Sequence, residues 1–130
     1  MGRLVDQFNN MIETLGDNDD ASSVVHGAVK YDGGKPASYR GAIAYFPRAI
    51  EQVAAVSTFG ATKYAWKGWQ SVPEGFERYS DAMVRHLTKE ATGESTDSDS
   101  GLLHASHAAW NALARLELLL REEENAKNSN

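Results

Sequence analysis

The segment "SGLLHASHAAWNALARLELLL", residues 100–120, has the periodicity of a helix that carries two histidines and an asparagine near its start. At about 100° per residue, His104, His107 and Asn111 lie within about 60° of one another on the helix surface. Ala114 and Leu118 continue the same stripe, which predicts that it faces the interior. Imidazole nitrogens bind divalent cations, and imidazole and amide groups also bind nucleobases or phosphates through directed hydrogen bonds. The pattern therefore predicts polar chemistry on a buried helix face.

The preceding helix, "FERYSDAMVRHLTKEAT", repeats this arrangement. His86 and Glu90, spaced i to i+4, lie on the apolar side of that helix, and the acidic segment "ESTDSDSG" joins it to the next one. An antiparallel hairpin of the two helices would bring their polar residues together, with the loop aspartates at the same end. We therefore expect one site there, with metal ligands His86, His104 and His107 and catalytic carboxylates Glu90 and Asp97.

The alternative for this cluster is purely structural. Burying such groups without partners costs about 1–3 kcal/mol each, so something must satisfy them. A buried histidine that donates to a glutamate or to a carbonyl is a common structural device. The sequence leaves open whether these side chains satisfy one another or bind a ligand.

Two segments nearer the N-terminus also carry candidate binding residues. In "YDGGKP", Lys35 and the glycine amides could wrap a phosphate, although the segment is neither a Walker loop nor a dinucleotide fingerprint. In "TFGATKYAWKGW", Lys63 stands beside Tyr64 and Trp66, and aromatic rings beside lysines can stack a base and pair its phosphates. The alternative is that the tryptophans fill the end of a helical bundle.

The elements that must position these residues are helices. Apolar spacing predicts an amphipathic helix at 4–15, one that Pro47 opens, one that begins near Phe76, and one from about Gly101 to Glu123. No strand pattern is visible. We predict an all-α fold, a compact bundle of three to four main helices with an ordered Gly-rich N-terminal loop. The predicted divisions are 1–19, an amphipathic helix and possible oligomer contact; 20–124, a single nucleotide-binding domain; and 125–130, a frayed tail.

Composition excludes several classes of function. The 130 residues include no cysteine, which excludes disulfides, zinc ribbons and thiolate catalysis. A net charge of −5 argues against binding to duplex nucleic acid, which depends on Lys and Arg at the phosphates. No segment approaches the roughly 18 apolar residues of a membrane span, and no signal peptide is recognisable. We expect a cytoplasmic protein that forms homo-oligomers and does not bind membranes.

Four segments in order, "KYDGGKP", "TFGATKYAWKGW", "RYSDAMVRHL" and "GESTDSDSGLLHASHAAWNAL", resemble the phage-type dATP/dGTP diphosphohydrolase N-terminal domain family. The resemblance covers roughly residues 29–120. It implies an all-α relative of MazG-like nucleotide pyrophosphohydrolases, with Mg²⁺ or Mn²⁺ as cofactor and a purine nucleotide as ligand, in the host cell cytoplasm if phage-encoded. The polar positions that match are Lys30, Asp32, Lys35, Lys63, Tyr64, Arg85, His86, Asp97, His104, His107 and Asn111.

The chain departs from the pattern of that resemblance in two places. Ala65 and Gly68 stand where the family usually has Gly and Asn. The E-E-x-x-E and E-x-x-D helix pair of MazG-type metal sites is missing. Two hypotheses follow: a metal-dependent (d)NTP diphosphohydrolase-like domain, or a non-catalytic sponge that sequesters a (cyclic) nucleotide immune signal. A third is an accessory domain without a small-molecule ligand.

Overall fold

The computed structural model describes residues 30–129, so the predicted helix at 4–15 and its oligomer contact lie outside the described residues. Contacts divide the chain into two compact units, residues 1–45 and residues 46–130, and each is described by itself. The predicted division into 1–19 and 20–124 stays a prediction. No helix among the described residues is long and apolar enough to cross a lipid bilayer.

The described part of the first unit, residues 30–45, contains a turn and a short π-helix. The Lys35 N–H donates to the Asp32 carbonyl at 3.1 Å, and Gly34 takes the left-handed conformation with φ of 81°. The π-helix spans Tyr39–Ile43, and the Ala44 N–H donates to the Tyr39 carbonyl at 2.7 Å. The sequence predicted only a loop here, because a single turn is too short to produce a periodic signal. That the whole N-terminal loop is ordered stays a prediction.

The second unit is built from three α-helices. They are α1, Pro47–Lys63; α2, Gly75–Ala91; and α3, His104–Asn128. A 3₁₀ turn, Gly68–Ser71, lies between α1 and α2. Residues 30–129 contain no strand, only an isolated antiparallel bridge between Thr96 and Leu103. The prediction of an all-α bundle is confirmed.

The last helix differs from its predicted bounds at both ends. It begins at His104, three residues after the predicted start, because Gly101 is left-handed with φ of 75°. It continues to Asn128, five residues past the predicted end near Glu123, and an i to i+4 ion pair joins Lys127 to Glu123 there. The predicted fraying of residues 125–130 stays a prediction.

Both α1 and α2 pack against α3, and the face of α3 that they cover is largely polar. Among the described residues, Val56, Ala108 and Ala114 are the buried apolar ones. The buried polar residues, all on α3, are His104, Ser106, His107 and Asn111. The polar stripe therefore forms much of the interior and is not an addition at its edge.

Three rings, which we call the aromatic cluster, join the helices near the histidines, since Trp110 follows His107 by about one turn of α3. Trp69, Tyr79 and Trp110 contact one another with ring centroids 5.5–6.4 Å apart. The Tyr79 hydroxyl donates to the Trp69 carbonyl at 2.6 Å, and the Trp110 indole N–H donates to Ser57 Oγ at 2.8 Å. Trp69 thus has the packing role that the structural alternative predicted, while Trp66 is 65% exposed.

Candidate metal centre

The loop between α2 and α3 is held in place by backbone hydrogen bonds. Gly93 takes a left-handed conformation, and the Glu94 N–H donates to the Lys89 carbonyl at 3.1 Å, which ends α2 in a Schellman turn. The Asp97 N–H donates to the Leu102 carbonyl at 2.8 Å, and the His104 N–H donates to the Ser95 carbonyl at 2.9 Å. The loop side chains are therefore held against the start of α3.

Three imidazole rings meet at this end of the hairpin, and we call His86, His104 and His107 the imidazole cluster. The rings of His86 and His107 are stacked, with centroids 4.4 Å apart and an interplanar angle of 7°. His86 and His104 face each other through their Nδ1 atoms, which are 2.8 Å apart. The prediction that the hairpin brings these histidines together is confirmed by this geometry.

The hydrogen bonds of His104 determine which nitrogens carry protons. His104 Nε2 lies 2.7 Å from Glu94 Oε2, and a carboxylate can only accept, so the proton must be on Nε2. In a neutral His104 the Nδ1 atom is then unprotonated and accepts from Nδ1–H of His86. This leaves the lone pair of His86 on Nε2. The two rings therefore form a directed chain of hydrogen bonds that ends at Glu94.

His107 is held by the loop. Its Nε2 atom lies 2.7 Å from Ser100 Oγ and 3.7 Å from Asp97 Oδ2. The same Asp97 oxygen accepts a hydrogen bond from the Ser100 backbone N–H at 2.9 Å. The Phe59 and His107 rings are nearly perpendicular, with centroids 6.3 Å apart. The ring is thus enclosed by polar groups on one side and an aromatic group on another.

The pKa values of the site shift toward the forms that bind metal. Burial lowers the pKa of His86 below 6.5, and the nearby His107 and His104 lower it further. Burial also lowers the pKa of His107, although Asp97 opposes that shift. Burial alone would raise the pKa of Asp97, but hydrogen bonds from Ser100 and the neighbouring histidines bring it below 3.8. Near neutral pH the site therefore contains unprotonated imidazole nitrogens and an ionised carboxylate.

Three of these residues have the chemistry and spacing of a metal-binding set. His86, Asp97 and His104 each offer one ligand atom, and these atoms all lie within 4.8 Å of one another. Within residues 30–129, this is the one such group of three. Two imidazoles and one carboxylate suit a divalent transition metal and leave coordination positions for water or substrate. His107, a predicted ligand, is not in the group, and Asp97 takes its place.

Lys63 lies at the border of the site. Its ammonium group forms an ion pair with Asp99 and lies 4.8 Å from the centroid of the Phe59 ring, the ring that meets His107. The Asp99 carboxylate raises the pKa of Lys63, so this side chain stays cationic. The structure therefore brings this predicted binding residue close to the cluster, in contact with a carboxylate.

Other predicted site residues are not part of this cluster. Glu90 is exposed, and its carboxylate makes no hydrogen bond or ion pair with the described residues. Asn111 is buried, but its side-chain N–H₂ donates to the His107 carbonyl at 2.9 Å, so this amide group makes a hydrogen bond within α3. The exposed predicted residues of the second unit are Tyr64, Trp66 and Arg85. Those in the first unit, also exposed, are Lys30, Asp32 and Lys35. The binding roles of all of these remain predictions.

Two residues of the site were not among the predicted ones. Glu94 binds His104, and Ser100 binds both His107 and Asp97. Gly93 was a usable signal for Glu94, because a glycine at the end of a helix predicts a Schellman turn that reverses the chain. For Ser100 the sequence contained no comparable signal.

An open groove lies beside the loop, between it and the start of α1. It has a volume of about 570 Å³, which is within the range of small-molecule sites. Gln52 from α1 accepts a hydrogen bond from Ser106 at 3.0 Å and is part of the lining. The full lining is Arg48, Ala49, Glu51, Gln52, Gly101, Leu102 and Leu103. None of the three histidines lines this groove; Leu103, which does, directly precedes His104 in the sequence.

Comparisons with known proteins agree with the motifs. The family model described as "dATP/dGTP diphosphohydrolase, N-terminal" matches residues 25–128. A protein of Salmonella phage PMBT28 named dATP/dGTP diphosphohydrolase is 40% identical over 63 residues, which are 48% of this chain and 21% of that protein. The match thus spans about a fifth of the phage protein's length. No solved structure matches. Because the family model covers most of the chain, the protein belongs to the dATP/dGTP diphosphohydrolase N-terminal family.

Proposed function

We propose that this protein is a metal-dependent domain that binds a purine (deoxy)nucleoside triphosphate and hydrolyses it to a monophosphate and pyrophosphate. The observation that carries the proposal is the convergence of His86, Asp97 and His104, with ligand atoms within 4.8 Å. The substrate class comes from the family and from the name of the phage relative, whose own activity belongs to a much longer protein.

The donor set favours Mn²⁺ over Mg²⁺ as the cation. Magnesium prefers oxygen ligands in near-ideal octahedral geometry, whereas two of the three donors here are imidazole nitrogens. When bound, such a cation would supply charge neutralisation at the phosphates and lower the pKa of a coordinated water. His86, Asp97 and His104 would hold it, and the lowered pKa values of His86 and Asp97 favour a neutral imidazole and an ionised carboxylate at those two positions.

In the reaction, a water oxygen forms a bond to the α-phosphorus while the bond from that phosphorus to the bridging oxygen breaks. Pyrophosphate leaves with the electron pair of the broken bond. We assign the proton of the attacking water to the imidazole ring of His107, because burial lowers its pKa and keeps the ring neutral near neutral pH. His107 thereby changes from predicted metal ligand to general base. The catalytic role predicted for Glu90 finds no support in its exposed position.

Cationic side chains would hold the phosphates. Lys63 is the best placed in the second unit, because it borders the cluster through Phe59 and Asp99. A bound triphosphate would compete with the Asp99 carboxylate for this ammonium group. Arg85, Lys35 and the stacking residues Tyr64 and Trp66 stay predicted contacts of the nucleotide.

The test is incubation of the purified protein with a panel of nucleotides and Mn²⁺ or Mg²⁺, followed by chromatography. We expect dATP or dGTP to yield monophosphate and pyrophosphate in equal amounts, and His104→Ala and His107→Ala to abolish this. Asp81→Asn, at an exposed position of α2, is the control and should be as active as the wild type. Full activity in both histidine variants would contradict the assignment.

A second candidate is the nucleotide sponge, and the composition of the site favours it. The three-residue group contains a single carboxylate, Asp97, where MazG-type sites gather several around their cations. A site with fewer carboxylates neutralises less charge on the cations that phosphate transfer uses. For a sponge, the same experiment returns the nucleotide intact after denaturation of the protein, and the histidine variants lose binding. Homo-oligomers, also a prediction, are checked on the same sample by light scattering.

A further inference from the structure

We infer that Glu94 is the positioning residue of this centre: it fixes the tautomer of His104 so that Nδ1, and not Nε2, is the nitrogen available to a cation. The inference deepens the proposed function, and the part of it that concerns metal affinity rests on that proposal. It concerns a residue that helical periodicity does not bring to the site, because Glu94 lies beyond the end of α2.

Because His104 is buried, Glu94 is the partner that determines whether its Nε2 atom carries the proton. The His104 side chain is 0% exposed, so bulk water does not reach either ring nitrogen. Nε2 has Glu94 Oε2 at 2.7 Å, and Nδ1 has only His86 Nδ1 at 2.8 Å. Of the two partners, only the carboxylate is restricted to accepting a hydrogen bond. The proton of His104 is therefore held on the Nε2 side by Glu94.

The position of Glu94 comes from the backbone. Its side chain is 50% exposed, so packing contributes little to its placement. Its own N–H is bonded to the Lys89 carbonyl, and the next residue, Ser95, accepts from the His104 N–H at 2.9 Å. Two backbone hydrogen bonds thus tie Glu94 to the end of α2 and to the start of α3, directly beside the ring that it orients.

The effect extends to the second ring. With Nδ1 of His104 unprotonated, Nδ1 of His86 is the donor in the bond that joins the rings. A cation that uses both Nδ1 atoms has to displace only the proton of His86, which can move to its free Nε2. Without Glu94, His104 can carry its proton on Nδ1, and that proton would have to move to a buried Nε2 that has lost its hydrogen-bond acceptor. Carboxylates that orient metal-binding histidines in this way typically contribute 10–100-fold to metal affinity.

The experiment compares Glu94→Ala and Glu94→Gln with the wild type and with Glu77→Gln, a matched control at an exposed position of α2. The first readout is the tautomer of His104 in the metal-free protein, from imidazole ¹⁵N chemical shifts assigned with His104→Asn. We expect the Nε2–H form in the wild type, in Glu77→Gln and in Glu94→Gln, whose amide oxygen still accepts. Glu94→Ala should show a mixture or the Nδ1–H form.

The second readout is Mn²⁺ affinity, measured by electron paramagnetic resonance with the metal alone. We expect about a 10–100-fold loss in Glu94→Ala, a smaller loss in Glu94→Gln and no change in Glu77→Gln. If Glu94→Ala does not fold, Glu94→Asp replaces it, because it keeps the charge but retracts the carboxylate by one methylene. An unchanged His104 tautomer in Glu94→Ala, or in Glu94→Asp where that variant replaces it, overturns the inference. A wild type that binds no Mn²⁺ overturns the proposed function instead, while the tautomer readout still decides the role of Glu94.

Discussion

The aromatic cluster and the imidazole cluster are both made of rings with polar atoms, and they use those atoms differently. In the aromatic cluster, the Tyr79 hydroxyl and the Trp110 indole N–H donate to a carbonyl and a hydroxyl, which are neutral acceptors. In the imidazole cluster, ring nitrogens pair with each other and with Glu94, a carboxylate. The first arrangement stabilises the fold by ordinary packing, and no group in it changes charge near neutral pH.

The difference indicates that the aromatic cluster and the imidazole cluster have different roles. Rings that only pack need one satisfied polar atom each, and tyrosine and tryptophan provide it at low cost. The imidazole cluster instead places three titratable rings in contact, where protonation of one opposes protonation of the others. Nothing in packing alone requires such a set. Its presence in an interior with so few buried apolar residues is therefore the strongest structural sign of a functional site in this unit.

The largest expected effect is on stability, at the aromatic cluster. Trp110→Ala removes a half-buried ring and its bond to Ser57, so we expect the free energy of unfolding to fall by about 3 kcal/mol, the lower end of such truncations. Urea denaturation measures it. Trp66→Ala, which removes an exposed ring, should stay within about 0.5 kcal/mol of the wild type. Mn²⁺ affinity of the folded Trp110→Ala variant should equal that of the wild type, and a large loss would break the comparison.

The next effect is on metal binding, at the imidazole cluster. Asp97→Asn keeps an oxygen that can accept from the Ser100 N–H but removes the charge, so the loop should fold as before. We expect Mn²⁺ affinity to fall by about 100-fold or more, since even partners outside the coordination sphere contribute 10–100-fold. Titration calorimetry measures it, and Asp81→Asn is the control. Equal affinity in the two variants would remove Asp97 from the metal site.

The imidazole cluster and the aromatic cluster should change the stability in opposite directions as the pH rises. The pKa values of His86 and His107 are lower in the folded protein than the ordinary 6.5, so the unfolded chain binds more protons just below that pH. The free energy of unfolding of the metal-free protein should therefore be constant slightly above about pH 6.5 and fall as the pH drops below it. Below about pH 3.8 the lowered pKa of Asp97 adds a further loss.

At the aromatic cluster the stability is instead lost as the pH rises. Burial raises the pKa of Tyr79, so its contribution is complete below about pH 10 and is lost as the pH rises through the higher value of the folded state. Urea denaturation across the pH range, with a chelator present, measures both sides. His86→Asn should reduce the acid-side loss alone, and Tyr79→Phe the alkaline-side loss alone. Identical profiles in all three proteins would contradict the assigned shifts.

The smallest expected effect concerns the exposed ion pair at the border of the site. Lys63→Met should weaken triphosphate binding by only a few-fold, since solvent screens the interactions of an exposed charged side chain. Asp99→Asn should strengthen it by a similar factor, because it frees the ammonium group from its carboxylate. Lys89→Met, an exposed lysine of α2, serves as the control in fluorescence or calorimetric titrations. Weaker binding in Asp99→Asn would show that the pair positions the loop and does not compete with phosphate.

Helical periodicity was enough to predict the all-α fold and the inward direction of the polar stripe on α3. Residues three and four apart share a helix face whatever the rest of the chain does, so His104, His107 and Asn111 could be assigned to one face, and all three are buried. The short acidic loop also predicted the antiparallel hairpin, which brings His86 to the same end. The family followed from motifs in the sequence alone.

Tertiary structure decided which carboxylates meet the imidazoles. Periodicity placed Glu90 one turn beyond His86, yet its side chain is exposed, and Glu94 reaches His104 because the Schellman turn reverses the chain at Gly93. Asp97, and not His107, joins the three-residue group because loop hydrogen bonds set its position. Periodicity determines the direction of a side chain around one helix axis. The distance between atoms on different elements depends on helix packing and on the path of the loop, which only the folded chain specifies.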